Sequence, residues 1–335
     1  MEIVSRPHRD NLVRWAAHRP EVVVLSADLT SSCEADGFRE AYPQRFFTLG
    51  MAEQNLMGFA AGLAREGFRP FVHTFAVFVT RRPFDQVAMS IAYPNLPVRL
   101  LGFLPGITTP GGVTHQAIDD VALMRAMPNM TVVECADATE VESVLDVADA
   151  VRGPVYVRML RGAVPRLFEP SAPLELDRVR MLRRGKDVAL VSSGICTEPV
   201  MQVARALEAC GVDAAHVHVS TLEPLADPAL MEVLSGVRSG VVTVENHLTN
   251  GGLGSAVAER MAEAGVGVPL IRLGLRRTYA HGASRGHLMR EYGLDGMAVV
   301  GAVQELVKMS LPVSEDDLAG IDVSPEARAH QAEDL

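Results

Sequence analysis

Glu53 is the one carboxylate in a 17-residue run, Phe47 to Leu63, whose other members are apolar or neutral and include three glycines. In apolar surroundings an ionised carboxylate costs several kcal/mol unless a partner binds it or it takes up a proton. An acid at this position therefore points to chemistry. Its ordinary reading is a first-turn glutamate stabilised by the helix macrodipole. Downstream, Thr74-Phe75-Ala76-Val77-Phe78 sets two aromatics three residues apart, just before Arg81-Arg82-Pro83-Phe84-Asp85-Gln86-Val87. Further on, Pro110-Gly111-Gly112-Val113-Thr114-His115-Gln116 is a glycine turn that delivers a histidine to a strand-to-helix corner. Loops at the carboxyl ends of parallel strands are where α/β sheets place ligands.

The elements that must hold these residues read as an α/β protein, with short apolar runs alternating with helical stretches. In the first half, strands are predicted at 22–26, 45–49, 70–73, 98–102, 131–134 and 154–158, with helices at 10–17, 53–65, 80–91, 116–126 and 139–150. The strands are rich in Val, Leu and Phe without clean alternation, as in a mostly parallel sheet covered on both faces. A proline-containing stretch of mixed charge, 166–184, reads as a linker. A second α/β pattern follows, with strands at 188–192, 214–219, 240–245 and 269–273 and helices at 198–210, 228–234, 254–264, 283–291 and 294–308. The expected organisation is thus one domain over 1–165, a linker over 166–184, a second domain over 185–311, and an acidic tail over 312–335, flexible or draped on the surface.

The chain has 335 residues, 48% of them hydrophobic, and a net charge of −10. That composition suits two globular domains. The acidic balance disfavours a nucleic acid partner. No apolar run is long enough for a membrane span, and the first residues lack the apolar core of a secretory signal. Cys33, Cys135, Cys196 and Cys210 are scattered, which suggests reduced thiols in a cytoplasmic protein.

From about Arg6 to about Leu306 the chain resembles the pyrimidine-binding and C-terminal domains of the transketolase family. The phrases that carry the resemblance are Ser26-Ala27-Asp28-Leu29-Thr30, Gly50-Met51-Ala52-Glu53-Gln54-Asn55, Thr74-Phe75, Gly112-Val113-Thr114-His115-Gln116, Asp119-Asp120-Val121-Ala122-Leu123-Met124-Arg125 and Val244-Glu245-Asn246-His247. The resemblance implies thiamine diphosphate as cofactor. Glu53 would bond the ring nitrogen N1′ of its aminopyrimidine, and Phe75 and Phe78 would pack on that ring, with Asp28 and Met51 nearby. It implies His115 for contact with a donor hydroxyl and for proton transfer, and Arg6, Ser32 and Arg161 for the phosphate of a sugar substrate. An arginine fork suits such an anion. Each residue also has a plainer reading: core aromatics for the two phenylalanines, a helix cap for Asp28, a surface arginine for Arg6, a turn serine for Ser32.

The departures are as informative. Gly111 stands where the family has an aspartate that reads a sugar hydroxyl, Phe103 where a second histidine is expected, and Arg81 where an aromatic often completes the pyrimidine pocket. This puts the usual pentose phosphates in doubt and makes a specialised sugar plausible. The family's Mg²⁺- and diphosphate-binding signal, Gly-Asp-Gly, is absent. Gly251-Gly252-Leu253-Gly254 reads as a helix-entry turn and Glu245-Asn246-His247 as a structural strand-end turn. The resemblance therefore implies the C-terminal subunit of a split transketolase. An N-terminal subunit would supply Mg²⁺ and the diphosphate site in an α2β2 heterotetramer, with this chain holding no metal. The alternatives are the β subunit of a 2-oxoacid dehydrogenase E1, a deoxyxylulose-phosphate-synthase-like enzyme, and a non-catalytic partner subunit.

Overall fold

The computed structural model describes residues 1–327. A seven-stranded sheet runs in the order Thr221–Glu223, Thr131–Glu134, Val155–Met159, Arg99–Phe103, Arg69–Phe75, Val22–Ser26, Phe46–Thr48. All neighbours are parallel except the first pair. The central strands are buried along their whole length, as the unbroken apolar runs require. Val22 and Val24 face a layer containing Leu12, Trp15 and Val144, while Val23 and Leu25 face Leu56, Met57 and Ala60 on the other side. The second sheet orders Leu270–Leu275, Gly240–Leu248, Val188–Ser192 and Ala214–Val219 in parallel, with Val179–Arg183 antiparallel at the edge.

Three expectations need correction. The stretch 166–184 is more than a linker: it contains the edge strand Val179–Arg183 and buries Phe168 and Leu174. Its arginines hid the strand, because an edge strand tolerates charge on its open side. The two halves keep separate sheets except at one edge, where Thr221–Glu223 from the second half pairs with Thr131–Glu134 of the first. The helix expected at 80–91 is interrupted over residues 81–83: Ala76–Thr80 ends before the break, and after Pro83 the turn Phe84–Gln86 runs directly into the π-helix Val87–Ala92. Of the acidic tail, the described part is draped on the core: Leu318 and Val323 are buried, and Ser314 caps the short helix Glu315–Ala319. Residues 328–335 lie outside the described residues.

Arg158, fully buried at the end of Val155–Met159, joins the two halves. Its guanidinium donates to Asp120 Oδ2 at 2.9 Å, to Glu134 Oε1, to the Ala117 carbonyl at 3.3 Å and to the Asn246 carbonyl at 2.9 Å. The Asn246 side chain accepts from Ile107 N at 2.9 Å and donates to the Pro105 carbonyl at 3.1 Å. Between these two contacts lies Gly106, at φ +58, where an added Cβ would stand 2.1 Å from Asn246 Oδ1. Glu245-Asn246-His247 is thus an interdomain pin inside the strand Gly240–Leu248, and the Gly251–Gly254 segment is the entry to helix Leu253–Glu263. Glu245 accepts there from Leu253 N at 2.7 Å and Gly254 N at 2.9 Å.

Arg158→Met leaves Asp120 and Glu134 buried without their cation and should cost about 3–5 kcal/mol in urea unfolding; a loss below about 1 kcal/mol would contradict the pin. Burial, opposed only in part by its two backbone bonds, pushes Glu245 up to about 7 from 4.5. A raised folded-state value means this group's contribution is full below pH 4.5 and is lost as pH rises through 7. Wild type should therefore lose stability relative to Glu245→Gln across that window, as followed by thermal unfolding at successive pH values.

Candidate functional site

The anticipated residues gather at the carboxyl ends of the parallel strands, each delivered by the loop that follows. After Phe46–Thr48 the chain turns through Gly50 at φ +75, and Glu53 begins helix Glu53–Arg65, only 4% exposed. After Arg69–Phe75, Phe75 and Phe78 lie one helical turn apart with rings stacked at 5.9 Å. The loop after Arg99–Phe103 brings His115 edge-on to both rings, at 6.4 and 5.4 Å, with Nδ1 2.8 Å from Thr114 Oγ1. Met51 is 76% exposed at the mouth, and Asp28 is exposed after Val22–Ser26.

One residue in this cluster escaped the sequence reading. Arg82 Nη1 donates to Glu53 Oε1 at 2.8 Å, and the same guanidinium lies 4.0 Å from the centroid of Phe78. A flat, nitrogen-rich cation thus already stacks on Phe78 and hydrogen-bonds to the acid. An aminopyrimidine makes the same two demands, a ring face and a carboxylate at its edge, so the residues present fit that ring. Arg82 is half exposed, so solvent can take over its hydrogen bonds if a ligand displaces it. A cation next to a second arginine in an Arg-Arg-Pro stretch carries no sequence signal of this role. Its neighbour Arg81 turns away instead, to Asp119 at 2.8 Å.

The phosphate-side candidates also come together. Arg6, Arg161 and Ser31 line a cavity of about 400 Å³. Ser32, the predicted serine, is not on that wall; its neighbour Ser31 is, and the Ser32 carbonyl accepts from Arg161 Nη1 at 2.7 Å, which holds the arginine in place. Glu34 organises both arginine turns: its carboxylate accepts from Gly162 N at 2.7 Å and His8 N at 3.1 Å. Burial holds that carboxyl above its ordinary value, against those backbone bonds. Arg6 is tied further by its own N–H to the Gly162 carbonyl at 2.7 Å and by its side chain to Asp36. Arg6, Glu34 and Leu104, all on the cavity wall, adopt left-handed backbone at φ 49, 56 and 55. Such conformations cost on the order of 1–3 kcal/mol each and gather where function needs them.

Two departures acquire a location. Phe103 is fully buried, its ring 5.6 Å from that of His8 and 6.0 Å from that of His73, so its side chain is part of the core. Gly111 sits under His115: a Cβ there would lie 3.0 Å from His115 Cβ and Cγ. The loss of a side chain at 111 therefore gives the imidazole its room.

Comparison with known proteins agrees with this geometry. Residues 8–166 match the transketolase pyrimidine-binding domain and residues 177–299 the transketolase C-terminal domain. A 6-deoxy-6-sulfo-D-fructose transketolase subunit from Clostridium sp. is 36% identical over 89% of this chain and 92% of its own. A 1-deoxy-D-xylulose-5-phosphate synthase from Thermomicrobium roseum is also 36% identical, but the match spans 86% of this chain and only 46% of that enzyme. A solved split-gene transketolase, an inactive β4 tetramer, superposes with a TM-score of 0.81 at 40% identity, covering 90% of this chain and 97% of its own.

Gly111→Ala should displace the His115 ring, seen as shifted imidazole resonances by NMR, with little change in thermal midpoint. Unchanged resonances would mean that the turn, and not the missing side chain, sets the ring.

Proposed function

This chain belongs to the transketolase family, as the C-terminal section of a split transketolase, and from that premise we propose that it works with a separate N-terminal subunit to move a two-carbon ketol unit between sugars bearing an anionic group. The observation that carries the reading is the contiguous set of Glu53, Phe75, Phe78 and His115, with the arginine-lined cavity built on the same end of the same sheet. Thiamine diphosphate, when bound, supplies the electron sink that carbon–carbon cleavage next to a carbonyl requires.

The roles of this chain's own residues follow from their chemistry. Glu53, shielded from water, holds a ring nitrogen through a charge-assisted hydrogen bond that bulk solvent would weaken. Phe78 and Phe75 offer the ring face. His115, anchored through Nδ1 to Thr114, presents Nε2 for contact with a sugar hydroxyl and for carrying its proton. Arg161 and Arg6 fix the anionic end, so that the reacting carbons are held in place by a remote group. Mg²⁺ and the diphosphate belong to the N-terminal subunit in this reading, and the assembly is an α2β2 heterotetramer. A sulfonated hexose, as in the name of the Clostridium relative, and a sugar phosphate both satisfy the anionic requirement.

The test is ketol transfer by the purified pair, by this chain alone, and by a pair carrying Glu53→Gln. Turnover should need both subunits and fall at least about a hundredfold in the variant, the scale of losing a positioned acid–base group. A variant rate equal to wild type removes Glu53 from the chemistry; turnover by the chain alone removes the partner.

A further inference from the structure

The arginine-lined cavity has a wall that the family's pyrimidine domain does not provide. Arg285, first residue of helix Arg285–Glu291 in the C-terminal domain, lines it together with Arg6 and Arg161. A neighbouring cavity of about 300 Å³ also includes Arg161 and Arg285 in its wall, so the two side chains stand at the boundary between the spaces. The placement is built. The segment before Arg285 is fixed to the His115 turn: Gln116 Nε2 donates to the His281 carbonyl at 3.2 Å, and Gly112 and Gly282 approach so closely that a Cβ on Gly282 would stand 2.8 Å from the Pro110 carbonyl.

The charges around this cavity are unbalanced. Arg6 is committed to Asp36, and Arg161 to a neutral carbonyl. Glu34 accepts its hydrogen bonds from backbone N–H groups and its charge acts on Arg6, which leaves Arg161 and Arg285 without a carboxylate on this wall. Among the described residues the Arg285 side chain makes no hydrogen bond and no salt bridge; burial raises the nearby Glu198 carboxyl above its ordinary value, and the charge of Arg285 opposes that rise only in part. Guanidiniums gathered round one space repel each other unless an anion joins them, and a planar fork matches a tetrahedral oxyanion better than an ammonium does.

We propose that Arg285 is a specificity-determining residue of the substrate site, the third arginine on a tetrahedral oxyanion, phosphate or sulfonate, at the far end of the sugar. The C-terminal domain thereby takes a direct part in substrate choice. This rests on the ketol-transfer reading for the identity of the substrate, and on the cavity alone for the anion.

Two measurements on the reconstituted pair separate these. In the first, KM and kcat are determined with glyceraldehyde 3-phosphate and with glyceraldehyde as acceptors. Arg285→Ala should raise KM for the phosphorylated acceptor about tenfold or more, the scale of one charge-assisted contact, with kcat at saturation little changed and a much smaller effect on glyceraldehyde. Arg285→Lys should recover part of the loss. In the second, thermal unfolding is followed with inorganic phosphate and with methanesulfonate. The wild-type midpoint should rise with at least one of them, and which one identifies the oxyanion. The rise should be lost in Arg285→Ala and kept in Arg290→Ala, whose side chain lines only the neighbouring cavity. An equal KM increase for both acceptors, or the same anion response in Arg285→Ala as in wild type, overturns the proposal. A pair without ketol transfer overturns the functional reading only, and the unfolding series still decides Arg285.

Discussion

A single buried cation ties this molecule together. Arg158 emerges from the end of a central strand fully buried, and its five donors must find acceptors within the protein. They find them on the adjoining strand, on the first turn of Asp120–Arg125, on the stretch leading from His115, and on a strand of the other domain. Ion pairs of this kind add little net stability compared with a well-packed apolar core. What this one supplies is position: it fixes the end of the sheet where every candidate residue stands, and through Asn246 it fixes the 105–107 backbone as well.

On that fixed edge the chain builds two sites of opposite character. One is a carboxylate beside stacked rings, open to solvent through Met51 and Arg82. The other is a cationic hollow enclosed by turns that keep left-handed backbone at non-glycine positions. Glu34 links sequence-distant turns into the second site, because one carboxylate with two oxygens can accept from two chain segments at once. The long loop from Leu104 to Asp119 contributes to both, through Leu104 and Thr108 at one end and His115 at the other.

The strands at 22–26, 131–134, 188–192 and 214–219 were legible residue for residue, because unbroken β-branched and aliphatic runs leave a doubly covered strand little else to become. The edge strands Val179–Arg183 and Thr221–Glu223 were not, since their partners lie far along the chain and their own pattern is polar or very short. Among site residues, those set in glycine turns or apolar runs stood out: Glu53, His115, the two phenylalanines. Arg82, Glu34 and Arg285 did not. Each is a common surface type whose meaning comes from what the fold sets beside it, and in the case of Arg285 from a domain boundary more than a hundred residues downstream of the rest. Phe103, which stands where the resemblance expects a histidine, is packed by the fold against His8 and His73, a surrounding that the sequence alone did not reveal.

The short strand Thr221–Glu223 has a bearing on how such a protein can be divided. It completes the larger sheet by crossing from one domain into the other, just where Thr131–Glu134 would otherwise present bare amides and carbonyls to water. A cut between the pyrimidine-binding and C-terminal domains would leave an unfinished sheet and an unanchored arginine, so neither module closes its own structure without the other.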